Sequence, residues 1–107
     1  MLTNDAKKLL YALYTEFTAR RKIGISRTRA KFFRSAKSIQ ENFASDSCIE
    51  DVFDYLCELH RNGFVLNRYA DNTVYECYLT DEAIVMLENL PKDTFLSVAD
   101  FISKFIP

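Results

Sequence analysis

Apolar positions recur along the chain with two different periods, and the changes of period mark its elements. Ala6, Leu9, Leu10, Leu13, Tyr14 and Phe17 return every three or four residues, which predicts an amphipathic helix over about residues 4–20. Thr3 is its expected N-cap and Asp5 sits in its first turn. Arg20, Arg21 and Lys22 close it, where cations suit the carbonyl end of the helix dipole. Gly24 predicts a turn over 22–25, with room for a short strand that would join a sheet. Ser26 is placed to cap a short helix through about Phe33, with Ala30 and Phe33 inward. Ser35 is placed to cap another over 36–43, burying Ala36, Ile39, Phe43 and part of Gln40.

The strongest pattern lies further on. Ser45, Asp46 and Ser47 are all good N-cap types, and after them Ile49, Val52, Phe53, Leu56 and Leu59 fall on one helical face. Gly63 supplies the left-handed residue that ends helices. The period then drops to two. Residues 64–70 and 73–79 are rich in aromatic and β-branched side chains, and only Asp71 and Asn72 separate them, which predicts a two-residue hairpin. An unbroken register from that turn puts Phe64, Leu66, Tyr75, Cys77 and Leu79 on one face. Thr80 caps a further helix that runs to about Leu90, with Asp81 and Glu82 in its first turn.

The run Leu56, Leu59, Gly63, Phe64 and Val65, followed by Tyr78, Leu79 and Thr80, resembles the closing half of a winged helix-turn-helix of the small bacterial or phage regulator type. The resemblance covers about half the chain, and at Ala83 it departs from the glycine that many such proteins carry. It implies a mainly α fold with a small β-hairpin wing (α+β), residues 36–43 and 49–62 as the helix-turn-helix, and the helix over 27–33 as an insertion. The whole chain is expected to be a single domain over 1–107. Beyond Pro91, Asp93 or Thr94 could cap a last helix, and eight of the twelve residues from Phe95 to Ile106 are apolar. That is more than one stripe can bury. A homodimer seam through Phe95, Val98, Phe101, Ile102 and Phe105 is the expected use of it; packing across the first helix is the alternative.

Composition adds bounds. A hydrophobic content of 49% with nine Phe argues for a packed core rather than a disordered chain. No stretch reaches the roughly 18 apolar residues of a membrane span, and Lys7 and Lys8 interrupt any apolar leader block. Cys48, Cys57 and Cys77 are odd in number and irregularly spaced, which favours free thiols and a cytoplasmic setting.

Charge changes the picture most. The net charge is −1, yet residues 20–37 hold eight bases and no acid: Arg20, Arg21, Lys22, Arg27, Arg29, Lys31, Arg34 and Lys37. From 38 onward thirteen acids face four bases. In a winged helix the second helix of the motif would enter the major groove. Here its outward arc is Glu50, Asp51, Asp54, Glu58 and Arg61, and carboxylates repel phosphates. The hairpin offers only Arg68, beside Asp71 and Glu76. Two partners follow: DNA, held by the basic segment with Phe32 and Phe33 interleaved, or a basic protein, held by the acidic arc Glu50, Asp51, Asp54 and Glu58. The acidic helix of one copy meeting the basic segment of another is a further arrangement. The bland reading of Phe32 and Phe33 is a pair of core anchors.

Catalysis and metal binding find little purchase. Cys57 and His60 are three apart, with Cys77 conceivable as a third ligand, but structural zinc wants four ligands in recognisable pairs. His60 falls on the apolar arc, where a hydrogen-bonded packing histidine is expected. With one His and only Gly24 and Gly63, neither a nucleophile–base pair nor a phosphate-cradling loop is available. The expectation is a non-enzymatic protein without metal or cofactor.

Overall fold

In the computed structural model, residues 2–90 are described. Five helices and three strands follow in the order α1 (Asn4–Lys22), α2 (Arg27–Ala30), β1 (Phe32–Phe33), α3 (Ala36–Phe43), α4 (Ile49–Arg61), β2 (Val65–Ala70), β3 (Thr73–Leu79) and α5 (Asp81–Glu88). The architecture is α+β. The sheet is antiparallel with β3 in the middle, in the order β1-β3-β2.

Local chemistry accounts for the element ends. The hydroxyls of Thr3, Ser26, Ser35 and Thr80 accept from the amides of Ala6, Arg29, Ser38 and Ala83, so four helices start on a side-chain cap. Helix α4 differs. Ser45, Asp46 and Ser47 are absorbed by the α3–α4 turn, in which the Ser47 N–H donates to Ala44 O and Gln40 Nε2 donates to Ser47 O. The cap position therefore falls on Cys48, which gives no side-chain bond. Glu50 and Asp51 in the first turn favour that end electrostatically instead. Its other end is a double closure. Gly63 N–H donates to His60 O at 3.0 Å and Phe64 N–H to Leu59 O at 2.9 Å, with Gly63 at φ +78°. A Cβ on Gly63 would meet nothing within 4 Å, so any penalty for adding one is backbone strain alone. Gly63→Ala is expected to destabilise by about 1 to 2 kcal/mol, read from the midpoint of urea unfolding; an unchanged midpoint would contradict this helix end.

The hairpin turns at Asp71 (φ 52°) and Asn72 (φ 62°), where the sequence placed it. Its register is another matter. From the turn, Ala70 pairs Thr73 and Tyr69 pairs Val74, but Arg68 then pairs Glu76, so Tyr75 is an extra residue. The bulge splits the face expected to hold Phe64, Leu66, Tyr75, Cys77 and Leu79 together. Val65, Asn67, Cys77, Val74 and Leu79 are buried, whereas Leu66 and Tyr75 are exposed. The third strand is also displaced from its expected place. It lies at Phe32–Phe33, not at 22–25, because α2 ends at Ala30 and the chain extends to pair Phe32 with Tyr78 and Phe33 with Cys77.

The core sits between α1, α3, α4 and the inner face of the sheet. Leu10, Leu13, Phe33, Ile39, Val52, Leu56, Leu59, Leu79 and Leu87 are among its most deeply buried members, with Tyr14 and Phe17 of α1 beside them. Ile49, one turn before Val52, stands outside it at 41% exposure. Asn67 pins β2 to α4: its side-chain amide donates to Leu56 O at 2.9 Å. Residues 91–107, including the expected dimer seam at Phe95, Val98, Phe101, Ile102 and Phe105, lie outside the described residues.

Candidate functional site

The eight cations of 20–37 divide into two groups. Four are committed within the fold. Arg20 runs back along α1, where its Nε lies 3.3 Å from Glu16, and its guanidinium donates to Phe32 O at 2.7 Å and Ala30 O at 3.3 Å. The same group lies over the Phe33 ring, 4.5 Å from its centroid. Arg21 donates to Ile25 O at 3.0 Å and so braces the turn. Arg27 and Lys31 both reach Asp81 Oδ1 at 3.0 Å, tying α2 to the first turn of α5.

The Lys31 hydrogen bond, helped by the charges of Lys31 and Arg27, holds the Asp81 carboxyl below its ordinary value of 3.8. A carboxyl whose folded-state pKa is depressed contributes stability above its unfolded-state value and loses it as pH falls through the folded-state one. Wild-type protein should therefore lose part of its margin over Asp81→Asn between neutral pH and pH values below 3.8. Urea midpoints of the two proteins measured across that range should converge on the acid side; a constant gap would remove the ion pair from the account.

The other four cations, Lys22, Arg29, Arg34 and Lys37, form no ion pair among the described residues. Arg29 and Arg34 flank an open groove of about 850 Å³ between α2, β1 and α3. Its walls carry Phe32, Phe43 and Tyr78 together with Thr28, Ser38 and Asn42. The two adjacent Phe residues part company because a strand alternates its side chains. Phe33 is buried and meets Phe43 edge-on at 5.7 Å, while Phe32 turns outward and packs on Tyr78 at 5.1 Å. One is a core anchor and the other a surface ring. Phe32 and Tyr78 belong to this surface together, and the sequence pattern assigned neither that pairing nor the sheet edge behind it.

On α4, Glu50, Asp51 and Asp54 are exposed and form no ion pair among the described residues. Glu58 is different. Its carboxylate accepts from Thr3 N–H at 2.6 Å and from Thr3 Oγ1 at 2.9 Å, which fastens the start of α1 to α4. Tyr55 adds a longer bond to Asp5 Oδ2 at 3.4 Å along the same seam.

His60 packs edge-on to Tyr69 at 5.8 Å, and its Nδ1 accepts from Asn67 N–H at 3.2 Å. All three cysteines are free, and burial pushes the Cys77 thiol up to about 12, which leaves it an inert apolar group at neutral pH. Among the described residues no three His, Cys, Asp or Glu side chains are grouped to hold a metal ion, and no helix is long and apolar enough to cross a membrane. Compared with known proteins, the chain matches no family model, no curated protein and no solved structure.

Proposed function

We propose that the chain is a non-enzymatic winged-helix protein, a DNA-associated regulator that contacts nucleic acid through α2, β1 and α3 rather than through α4. The order of elements supports the scaffold. A helix leads to a short strand, then to two helices joined by a tight turn, then to a hairpin whose second strand pairs with the first. Helix α2 is one extra turn inserted before β1. The observation that carries the functional reading is the sorting of charge. Lys22, Arg29, Arg34 and Lys37 form no ion pair among the described residues, and Arg29 and Arg34 line a groove walled by aromatic rings, while exposed carboxylates line α4. Cations that displace counterions supply most of the affinity for phosphate polymers, and acids in the docking helix oppose it.

The test is a binding titration of labelled mixed-sequence duplex at increasing salt. Four phosphate-contacting cations predict a log–log slope of roughly −3 to −4 between about 50 and 200 mM salt. Absence of binding at about 50 mM would remove the reading. A second reading rests on the exposed Glu50, Asp51 and Asp54: the same scaffold could dock a basic protein on α4, and a cationic peptide competing at that helix but not at the groove would favour it.

A further inference from the structure

The outer face of the sheet continues the groove. In the register of the three strands Phe32 stands beside Tyr78, and Tyr78 beside Leu66, so one apolar row crosses β1, β3 and β2 on the side away from the core. Leu66 in that row is 50% exposed. The Tyr78 hydroxyl donates to Glu76 Oε2 at 3.0 Å, which fixes the ring. The Phe32 carbonyl is held by Arg20, and Arg20 also occupies Glu16, so this acid at the groove is already neutralised. Glu76 lies opposite Arg68 in the register. The two form no ion pair, so the row carries one carboxylate at Glu76, while Arg29 and Arg34 line the groove without an ion pair among the described residues.

We propose that this row and groove form a binding site for single-stranded nucleic acid, the bases lying against Phe32 and Tyr78 and the phosphates following Arg29 and Arg34. The inference rests on the nucleic-acid reading above and names the form of the ligand. A duplex hides its bases and presents a convex wall of phosphate, which favours protruding cations. A groove lined by aromatic rings together with Arg29 and Arg34 fits unstacked bases, each of which has a face to stack. Arg20 prearranges the strand that carries Phe32, so the ring does not have to be ordered on binding.

The experiment measures anisotropy of labelled single strands of about ten nucleotides, in deoxy and ribo forms, against duplex of the same sequence. Site sizes of this order suit stacking grooves. Single strand should bind more tightly than duplex, and comparison of the two single strands identifies DNA or RNA as the preferred source. Phe32→Leu keeps the apolar volume and removes the ring, so it should weaken single-strand binding roughly tenfold while leaving circular dichroism unchanged and weakening duplex binding by a smaller factor. Phe32→Trp should restore affinity, and its emission should be quenched by the strand. Duplex binding that equals or exceeds single-strand binding, with no effect of Phe32→Leu, would overturn this inference and leave the nucleic-acid reading standing. Displacement of the strand by polyglutamate as readily as by unlabelled strand would reduce the site to a cluster of charge and also overturn it. Failure of single strand and duplex alike would remove both.

Discussion

Replacing Leu56 by alanine is expected to destabilise the folded chain by about 2 to 5 kcal/mol, the range for truncating a fully packed leucine. Leu56 is completely buried in the middle of α4, the helix that packs on α1, α3 and β2. Removing its three outer carbons would leave a cavity bounded by elements that pin one another, so the site has little freedom to collapse. Glu58, two residues on, calibrates the result. A solvent-facing glutamate on this arc would change stability by less than about 0.5 kcal/mol when truncated. Its two bonds to Thr3 raise the expectation for Glu58→Ala to about 1 kcal/mol. Equal small losses at both sites in denaturant melts would mean that the faces of α4 are assigned wrongly.

Combined charge reversal at Arg29, Arg34 and Lys37 is expected to cut nucleic-acid affinity by at least about a hundredfold at low salt and to flatten the salt slope by roughly three units. These positions are chosen because they form no ion pair among the described residues. Reversing Arg27 would instead set a carboxylate against Asp81 and confuse loss of binding with loss of fold. Neutralising Glu50, Asp51 and Asp54 should raise affinity only about two- to threefold, since screening weakens charges that do not touch the ligand. A large gain from that change, with no loss from the cation reversals, would move the interface to α4.

Much of this fold was legible because its boundaries are set by residues that act alone. Thr3, Ser26, Ser35 and Thr80 cap by their own hydroxyls, Gly63 ends α4 by its own freedom at positive φ, and Asp71–Asn72 turn the hairpin. What escaped was set by relations between residues. The bulge at Tyr75 answers to pairing across strands, and one inserted residue put Cys77 and Leu79 on the buried face with Val65 and Asn67 and left Leu66 and Tyr75 exposed. Cys48 became the cap of α4 because the α3–α4 turn had used the three better candidates before it. The short strand at Phe32–Phe33 lacks any local signal beyond its two aromatic residues and exists because β3 is there to pair with it.

The candidate site was legible in the same uneven way. The basic run at 20–37 is visible as composition, but composition does not separate cations that hold the fold from cations left over. Arg20, Arg27 and Lys31 are spent on carbonyls and on Asp81, a residue fifty positions beyond Lys31 in the chain. Phe32 and Phe33 look equivalent in sequence and differ only once they alternate on a strand. Glu58 looked like part of an acidic docking surface and instead anchors Thr3.

The most direct test of where nucleic acid is held is a map of backbone amide resonances during titration with a labelled-protein sample and unlabelled oligonucleotide at low salt. The largest perturbations are expected at Arg29, Phe32, Arg34, Lys37 and Tyr78, with Glu50, Asp51 and Asp54 unmoved. Perturbations concentrated on Glu50, Asp51, Asp54 and Arg61, with the residues around the groove unchanged, would contradict that placement.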